Sequence, residues 1–299
     1  MENPSKPKSQ IGDCSGDLRS SAAADPHRDK FPFFRHRSRQ ISRDTWLISV
    51  FVLLQIVIFA VTMGVNDCPG NSYGDCAAEF LGRFSFQPLS ENPMLGPSAS
   101  TLEHMGALRS NILAESREIW RIFTSQWLHS GLFHLLSNLG SLIFVGIYME
   151  QEFGPMRIAA IYVLSSALGS LFAVVFVQDI PSVCPAAALF GLIGAMLSAL
   201  ARNWNLYSNK TSAIMLIVVI SSVNFLLGFL PYIDNFANIG GLVSGFLLGF
   251  VLLFAPQLRQ VPPHKASFLK SEIKRSEKLK EKFDRPILRI ICLALFCVM

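Results

Sequence analysis

Two short stretches decide the fold of this chain, SVCPAAALFG at residues 182–191 and DNFANIGG at residues 234–241. Each of them opens a long apolar segment that contains almost no charge. Both are rich in alanine and glycine, the small residues that let membrane helices approach one another closely. The two stretches therefore predict a pair of apolar helices in direct contact.

The glycines of these two segments recur at helical spacing. In the second segment Gly241, Gly245 and Gly249 are four residues apart and form one smooth stripe. In the first segment Gly191 and Gly194 lie on a comparable face of small residues. Close packing explains such stripes fully. They indicate the fold and carry no information about catalysis.

The composition predicts a membrane protein. Of the 299 residues 51% are hydrophobic, and the mean hydropathy is +0.40. The apolar residues form blocks of about 18–22, the length of helix that crosses a hydrocarbon core of about 30 Å. We predict an all-α, polytopic bundle of six transmembrane helices. The six blocks are 45–65, 132–149, 157–177, 184–201, 212–230 and 236–254, and no acidic residue lies in their cores.

The distribution of basic residues predicts the topology, since cytosolic segments are enriched in Lys and Arg. Nine such residues precede residue 45 and ten lie in 256–289, whereas 66–118 has three against seven acidic residues. We therefore expect residues 1–44 to be a disordered cytosolic tail and 66–118 a lumenal first loop of the membrane domain, 45–256. The basic segment 257–285 is expected in the cytosol. This topology accounts for the net charge of +5 without a nucleic-acid partner.

The last apolar segment, 286–299, has only 14 residues. As a helix it would be about 21 Å long, which is too short to span comfortably. It is a candidate for a short seventh helix that is half inserted. Two cysteines, Cys68 and Cys76, lie in the lumenal loop, where an oxidising environment favours a disulfide; the alternative is two free thiols. No cysteine or histidine spacing indicates a zinc site.

Together with the pair Trp120-Arg121 and with HSGLFHLLSN at residues 129–138, the two opening stretches resemble the rhomboid family of intramembrane serine proteases. The resemblance covers every helix, and the first loop is similar to that of the plant rhomboid-like proteins. In the family the first stretch reads G-A-S-G-A-x-F-G and the second carries A-H-x-G-G. The resemblance implies that Ala186 stands at the position of the nucleophilic serine and Asn238 at that of its histidine base.

The residues at these positions cannot perform the family's chemistry. Ala186 has no heteroatom to attack a carbonyl, and Asn238 has no group that takes up a proton near neutral pH. His134 and Asn138 lie four apart on one helix face and match the positions that stabilise the oxyanion in rhomboids. With the nucleophile absent, the alternative is that these two side chains are polar contacts between helices.

Two neighbouring residues complete the predicted site. We expect His129 at the membrane interface and Cys184 to pack as an apolar residue. A rewired dyad would need Cys184 as nucleophile and His134 as base, because the sixth helix contains no histidine.

The sequence thus predicts an inactive rhomboid homologue, a pseudoprotease rather than an enzyme, that binds transmembrane client proteins and affects their trafficking or turnover. The alternative is an active intramembrane endopeptidase with a non-standard dyad. A transporter or channel is disfavoured, because intramembrane charges and an inverted repeat are missing. Membrane lipids and client proteins are the expected partners, with no nucleic acid and no cofactor. The expected location is the endomembrane system, at the Golgi or endosome, with the N-terminus in the cytosol.

Overall fold

The computed structural model describes residues 45–71, 75–109, 118–176, 180–202, 204, 210–253 and 286–299. Within these ranges six helices are long and apolar enough to cross a membrane. The predictions for residues 1–44 and 257–285 lie outside the described residues. The long helices are α1 (Trp46–Asn66), α2 (Leu132–Phe153), α3 (Pro155–Val174), α4 (Pro185–Arg202), α5 (Lys210–Leu227) and α6 (Asn235–Leu252). The six-helix prediction is confirmed, and most predicted ends differ by one to three residues.

The end of α2 differs most from the prediction. The helix continues to Phe153 and ends where Gly154 adopts a positive φ of 87°, after which Pro155 begins α3. The four added residues bring the fully buried Glu150 into the helix. Its carboxylate accepts hydrogen bonds of 3.0 Å from the backbone N–H groups of Leu47 and Ile48. Glu150 therefore caps the first turn of α1, whose N–H groups have no partner within their own helix.

Helix α4 lies at the centre of the bundle and is buried along almost its whole length. Helix α6 runs parallel to it in direct backbone contact, because a methyl group added at Gly245 would lie 2.5 Å from the Cα of Gly191. A methyl group at Gly194 would lie 2.7 Å from the backbone nitrogen of Phe246. These positions have no room for a side chain. The small-residue stripes thus form the contact between α4 and α6.

The far ends of α4 and α6 are joined by a buried arginine. The guanidinium group of Arg202, the last residue of α4, donates to the carbonyl oxygens of Phe250 (2.7 Å) and Leu253. It also lies 5.1 Å from the centre of the Phe250 ring. Phe250 lies in the last turn of α6 and Leu253 is its C-cap residue, the part of a helix where carbonyl oxygens lack N–H donors from a following turn. Arg202 therefore caps α6 from the neighbouring helix.

The last helix, α7 (Pro286–Val298), is a short apolar helix of 13 residues. It packs beside α6, where Cys292 is buried and Phe296 contacts the main core. The other cysteine of this helix, Cys297, is exposed. The helix is shorter than the six spans, so its length alone does not carry it across a bilayer.

The loop that follows α1 begins with a disulfide. Cys68 follows α1 directly and is bonded to Cys76, eight residues further on. Immediately after this closed loop, Ala77 and Phe86 exchange two backbone hydrogen bonds of 3.0 Å and form a small antiparallel bridge. The disulfide therefore ties the start of the loop to the end of the first span.

Candidate functional site

Three helices begin at one side of the bundle. Consecutive spans alternate in direction across a membrane, so α2, α4 and α6 all start on the side of the loop that follows α1. His134 and Asn138 lie in the first two turns of α2, Ala186 is the second residue of α4, and Asn238 is the fourth residue of α6. All four side chains are buried. The structure thus brings the residues of the predicted site to one end of the bundle.

The backbone before α4 is held from three sides. Residues 182–184 make four backbone hydrogen bonds to segments that lie far away in the sequence. These bonds join Ser182 to Leu108 in both directions (2.8 Å each), Val183 to Tyr232 (2.8 Å) and Cys184 to Ser125 (2.9 Å). Pro185 then begins the helix, where its missing N–H is not needed. The position of Ala186 is therefore fixed by the surrounding loops.

The pair Trp120-Arg121 supports these loops. The buried Arg121 donates through Nε to Glu118 (2.6 Å) and through Nη1 to the carbonyl oxygens of Glu103 (2.6 Å) and Ala107 (3.1 Å). Its guanidinium lies 4.8 Å from the centre of the Trp120 ring. Ala107 precedes Leu108, the residue that pairs with the backbone before α4. Arg121 therefore holds in place the segment against which the start of α4 rests.

The start of α6 is capped by an aspartate. The side chain of Asp234 accepts hydrogen bonds from the N–H groups of Phe236 (2.7 Å) and Ala237 (3.3 Å), as a good N-cap residue does. Burial raises the pKa of Asp234, and the two N–H groups oppose this shift because they stabilise the carboxylate. The cap fixes the first turn of α6 next to the start of α4.

Asn238 points its amide group toward the end of α5. Its Nδ2 donates to the side-chain oxygen of Asn235 (3.0 Å), and Asn235 donates in turn to the carbonyl oxygen of Phe225 in α5 (3.1 Å). No described residue donates to the buried Oδ1 of Asn238. A carboxamide is neutral and not a base at physiological pH. Asn238 thus bonds within its own helix to Asn235, the residue that contacts α5, and cannot accept the proton of a nucleophile.

The start of α2 holds two histidines in contact. Nδ1 of His134 lies 3.0 Å from Oγ of Ser130, and the rings of His129 and His134 meet edge to face with centroids 5.3 Å apart. His129 is buried, because the loop before α2 folds into the bundle; its place at the membrane interface stays a prediction. Burial, with a further contribution from neighbouring His134, lowers the pKa of His129 well below its ordinary value. Its ring is therefore neutral at pH 7.

Asn138 belongs to a buried polar chain that sequence reasoning missed. Its Nδ2 donates to Oε1 of Gln55 in α1 (3.1 Å) and lies 3.3 Å from Nε2 of His129. Nε2 of Gln55 lies 2.7 Å from the hydroxyl of Tyr162 in α3. Gln55 is the one amide side chain within the predicted apolar block 45–65. Such a residue seeks a polar partner on another helix, and this could have been the clue to the chain.

Cys184 does not behave as a substitute nucleophile. Burial raises the pKa of its thiol well above the ordinary value, the nearby Asp234 raises it further, and Ser170 and Ser125 oppose the shift. The reactive form of cysteine is the thiolate. A buried thiol that keeps its proton is a packing residue, and Cys184 lies in a small apolar cluster with Ala187.

The comparisons agree with the resemblance seen in the sequence. The Rhomboid domain family matches residues 116–255. The chain is 69% identical over 301 residues to "Inactive RHOMBOID-like protein 8" of Arabidopsis thaliana, which covers 99% of this chain and 86% of that protein. It is 51% identical over 212 residues to "RHOMBOID-like protein 1" of the same plant, covering 71% of this chain and 54% of that protein. "Rhomboid-like protease 2" of Toxoplasma gondii is 33% identical over 166 residues, 55% of this chain and 58% of that protein.

Proposed function

Because the chain belongs to the rhomboid family, we propose that it is an inactive member, a multi-pass membrane pseudoprotease that does not cleave peptide bonds. The observation that carries the proposal is the pair Ala186 and Asn238 at the starts of α4 and α6. These are the positions that the resemblance assigns to the nucleophile and the base. The relative whose name includes the word inactive supports the proposal, since its identity of 69% extends over 99% of the chain.

The missing groups carry the whole covalent mechanism. A serine hydrolase needs a hydroxyl or thiol nucleophile and a base within hydrogen-bond reach of it. Loss of the nucleophile alone lowers turnover by about 10⁶ in a serine protease. Ala186 offers only a methyl group, and Asn238 offers only a neutral amide. The described histidines nearest the site, His129 and His134, lie at the start of α2 and bond to Asn138 and Ser130.

The first test is a pair of cleavage assays in membranes with a permissive rhomboid substrate. One arm is the unmodified protein, and the other carries Ala186→Ser with Asn238→His. We expect no cleavage by the unmodified protein and cleavage by the double variant, because the backbone at the start of α4 is already held in a defined conformation. The variant with Ala186→Ser alone is the matched control, since it has a hydroxyl but no base, and it should remain inactive.

Cleavage by the unmodified protein would overturn the proposal and favour the alternative, an endopeptidase with a non-standard dyad. The variants Cys184→Ser and His134→Ala would then identify the groups involved. If the double variant is folded and still silent, the change from Gly-Ala to Cys184-Pro185 just before the site is the next residue pair to exchange, since proline and a buried cysteine restrict the backbone there.

We further propose that the protein binds transmembrane helices of client proteins. Helix α5 supports this role, because it is the least buried of the six spans and presents side chains such as Val219 to the lipid. Its polar tie to α2 is the side chain of Asn224, which donates to Oγ of Ser141 (2.9 Å) and lies 3.3 Å from Oγ of Ser137. A loosely packed span is the place where a further helix can be accommodated.

Client binding can be tested with the transmembrane segment of a permissive rhomboid substrate as the probe. A photo-crosslinking amino acid is placed at Val219 of α5 or, as the matched control, at Leu53 of α1, which is similarly exposed. We expect crosslinks from Val219 and few from Leu53. Equal crosslinking from the two positions would mean that the probe meets the protein only by diffusion in the bilayer, and it would refute the proposed client binding.

Topology and location are part of the same proposal. The basic segments before α1 and after α6 favour a cytosolic N-terminus, and the disulfide between Cys68 and Cys76 suits a loop on the oxidising side. We place the protein in the endomembrane system, at the Golgi or endosome. An N-terminal epitope tag should be accessible when only the plasma membrane is permeabilised. A tag that becomes accessible only after the internal membranes are opened would reverse the assigned topology.

A further inference from the structure

The side chain of Asn138 has committed both of its hydrogen-bond donors. A carboxamide carries two N–H bonds on one nitrogen. One of them points to Oε1 of Gln55 (3.1 Å) and the other to Nε2 of His129 (3.3 Å). Because Asn138 can only donate through this nitrogen, Nε2 of His129 acts as the acceptor, and the ring proton is on Nδ1. The neutral state of the buried His129 is compatible with this role.

Gln55 cannot easily turn away from Asn138. Its own Nε2 is engaged by the hydroxyl of Tyr162 (2.7 Å), so its Oε1 has to face the opposite direction. Tyr162 is itself fixed, since its ring stacks on Phe51 with centroids 4.5 Å apart and lies 6.0 Å from the ring of Trp127. Gln55 and Tyr162 are both buried. The chain from α3 through α1 to α2 is therefore rigid.

We infer that Gln55 is a positioning residue that commits the Asn138 amide to the interior of the bundle, so that no Asn138 donor is left for a substrate carbonyl at the start of α4. The inference rests on the proposed function, because the resemblance gives Asn138 its oxyanion position. It adds a third obstacle to catalysis beside Ala186 and Asn238. At Ala186 and Asn238 the catalytic group is missing, whereas the Asn138 amide is present but already hydrogen-bonded. A single substitution at Gln55, on another helix, can therefore release it.

The test uses the protein with Ala186→Ser and Asn238→His as its background. Adding Gln55→Leu removes the acceptor and should raise kcat by about 10²–10³-fold at an unchanged KM, the range expected for a recovered oxyanion donor. Gln55→Glu is the matched control, because glutamate has the same length and keeps an oxygen acceptor in either protonation state; it should leave kcat unchanged. With Asn138→Ala present as well, the gain from Gln55→Leu should disappear.

An unchanged or lower kcat with Gln55→Leu in a background that cleaves, or a gain that persists without Asn138, would overturn the inference. A general loosening of the bundle would also raise KM or act without Asn138, so the two explanations are distinguishable. All variants are assayed for cleavage of the same rhomboid substrate in the same type of membrane preparation, so that their kcat values can be compared directly.

A second measurement needs no activity. In the otherwise unmodified protein with ¹⁵N-labelled asparagine, the side-chain amide signal of Asn138 is identified by its loss in Asn138→Ala. We expect slow hydrogen exchange in the unmodified protein and in Gln55→Glu, and exchange at least about tenfold faster in Gln55→Leu. An identical rate in Gln55→Leu would refute the positioning role.

The two measurements separate the two proposals. Cleavage by the unmodified protein would refute the proposed function, whatever the exchange rates are. A silent assay in every arm, together with the expected exchange rates, would support the positioning role and refute the view that the dyad substitutions are sufficient for activity.

Discussion

The contact between α4 and α6 predicts that Gly245→Ala will destabilise the protein strongly. A methyl group at this position would lie 2.5 Å from both the Cα and the carbonyl carbon of Gly191, in the backbone of the neighbouring helix. The carbonyl oxygen of Gly191 would lie closer still, and ordinary contacts begin near 3.4 Å, so the two helices would have to separate by more than about 1 Å along a tightly packed interface. No flexible side chain is available to move aside.

The change in the free energy of unfolding caused by Gly245→Ala is the sum of two opposing contributions. Overpacking costs about 1–3 kcal/mol, and we expect about 3 kcal/mol here because backbone blocks the methyl group. Replacing a helical glycine by alanine returns about 1 kcal/mol. The net loss of about 2 kcal/mol corresponds to a Tm lower by roughly 4–8 °C for a domain of this size.

Gly140→Ala is the matched control. This glycine also lies within a long helix, α2, but a methyl group there meets nothing within 4 Å. Only the gain from replacing a helical glycine by alanine remains, so the Tm of Gly140→Ala should stay the same or rise by roughly 2–4 °C. The two variants therefore make the same chemical change and differ only in what the methyl group meets.

Unfolding can be followed in detergent with a thiol-reactive fluorogenic probe. Cys184 and Cys292 are buried and become reactive on unfolding, while Cys14→Ser and Cys297→Ser remove the two other cysteines outside the disulfide from every variant. If Gly245→Ala melts at or above the temperature of Gly140→Ala, the two helices are not in backbone contact. The packing argument for the whole α4–α6 interface would then be refuted.

Three further predictions use the same melting assay. Arg202→Gln should lower the free energy of unfolding by about 2–4 kcal/mol, because it removes a buried charged donor that caps α6. Arg202→Lys should recover only part of this loss. Equal stability of the unmodified protein and the two variants would exclude the cap. Reduction of the bond between Cys68 and Cys76 should cost about 2–3 kcal/mol by the loop-entropy relation for a loop of eight residues. Here unfolding is followed by intrinsic tryptophan fluorescence instead, because the freed thiols and the reductant would react with the thiol probe, and a protein with Cys76→Ser should not respond to reductant. Asp234→Ala should cost about 1 kcal/mol through loss of the N-cap. Because the folded pKa of Asp234 is raised, its contribution to stability is complete below the ordinary value of 3.8 and declines as the pH rises through the folded pKa. Asp234→Asn should keep the cap and lack this decline. Parallel profiles of stability against pH for the two proteins would contradict the raised pKa.

The sequence predicted the spans well because the bilayer imposes a simple requirement on each of them. A block of about 20 apolar residues is a local property that can be read without knowing any neighbour. The same holds for the glycine stripe of α6, since spacing along one helix defines the face. The largest boundary error arose at Glu150, where the hydropathy falls but the helix continues. In the sequence Glu150 ends the apolar block because it is charged. In the structure it lies inside α2 and caps the start of α1.

The polar contacts of the site could not be predicted in the same way, because they join residues far apart in the sequence. The bond from Asn138 to Gln55 spans 83 positions, and the contact of Gln55 with Tyr162 spans 107. No local spacing relates such residues. Their partners depend on how α1, α2 and α3 face one another, which is decided by packing over the whole bundle. His129 shows the same limit: its burial follows from a loop folding inward.

The structure also explains how catalytic groups can be lost from this fold without loss of the fold. Besides the apolar core, the interactions that hold the bundle together include the backbone contact of α4 with α6, the cap on α6 from Arg202 and the cap on α1 from Glu150. None of them uses Ala186 or Asn238. A serine replaced by alanine leaves a smaller group in a buried place, and an asparagine can bond to Asn235 one turn earlier. Selection for folding therefore places little demand on the two positions, whereas it disfavours a side chain at Gly245. Catalysis and membrane architecture are carried by different residues, and the dyad can disappear while every helix contact remains.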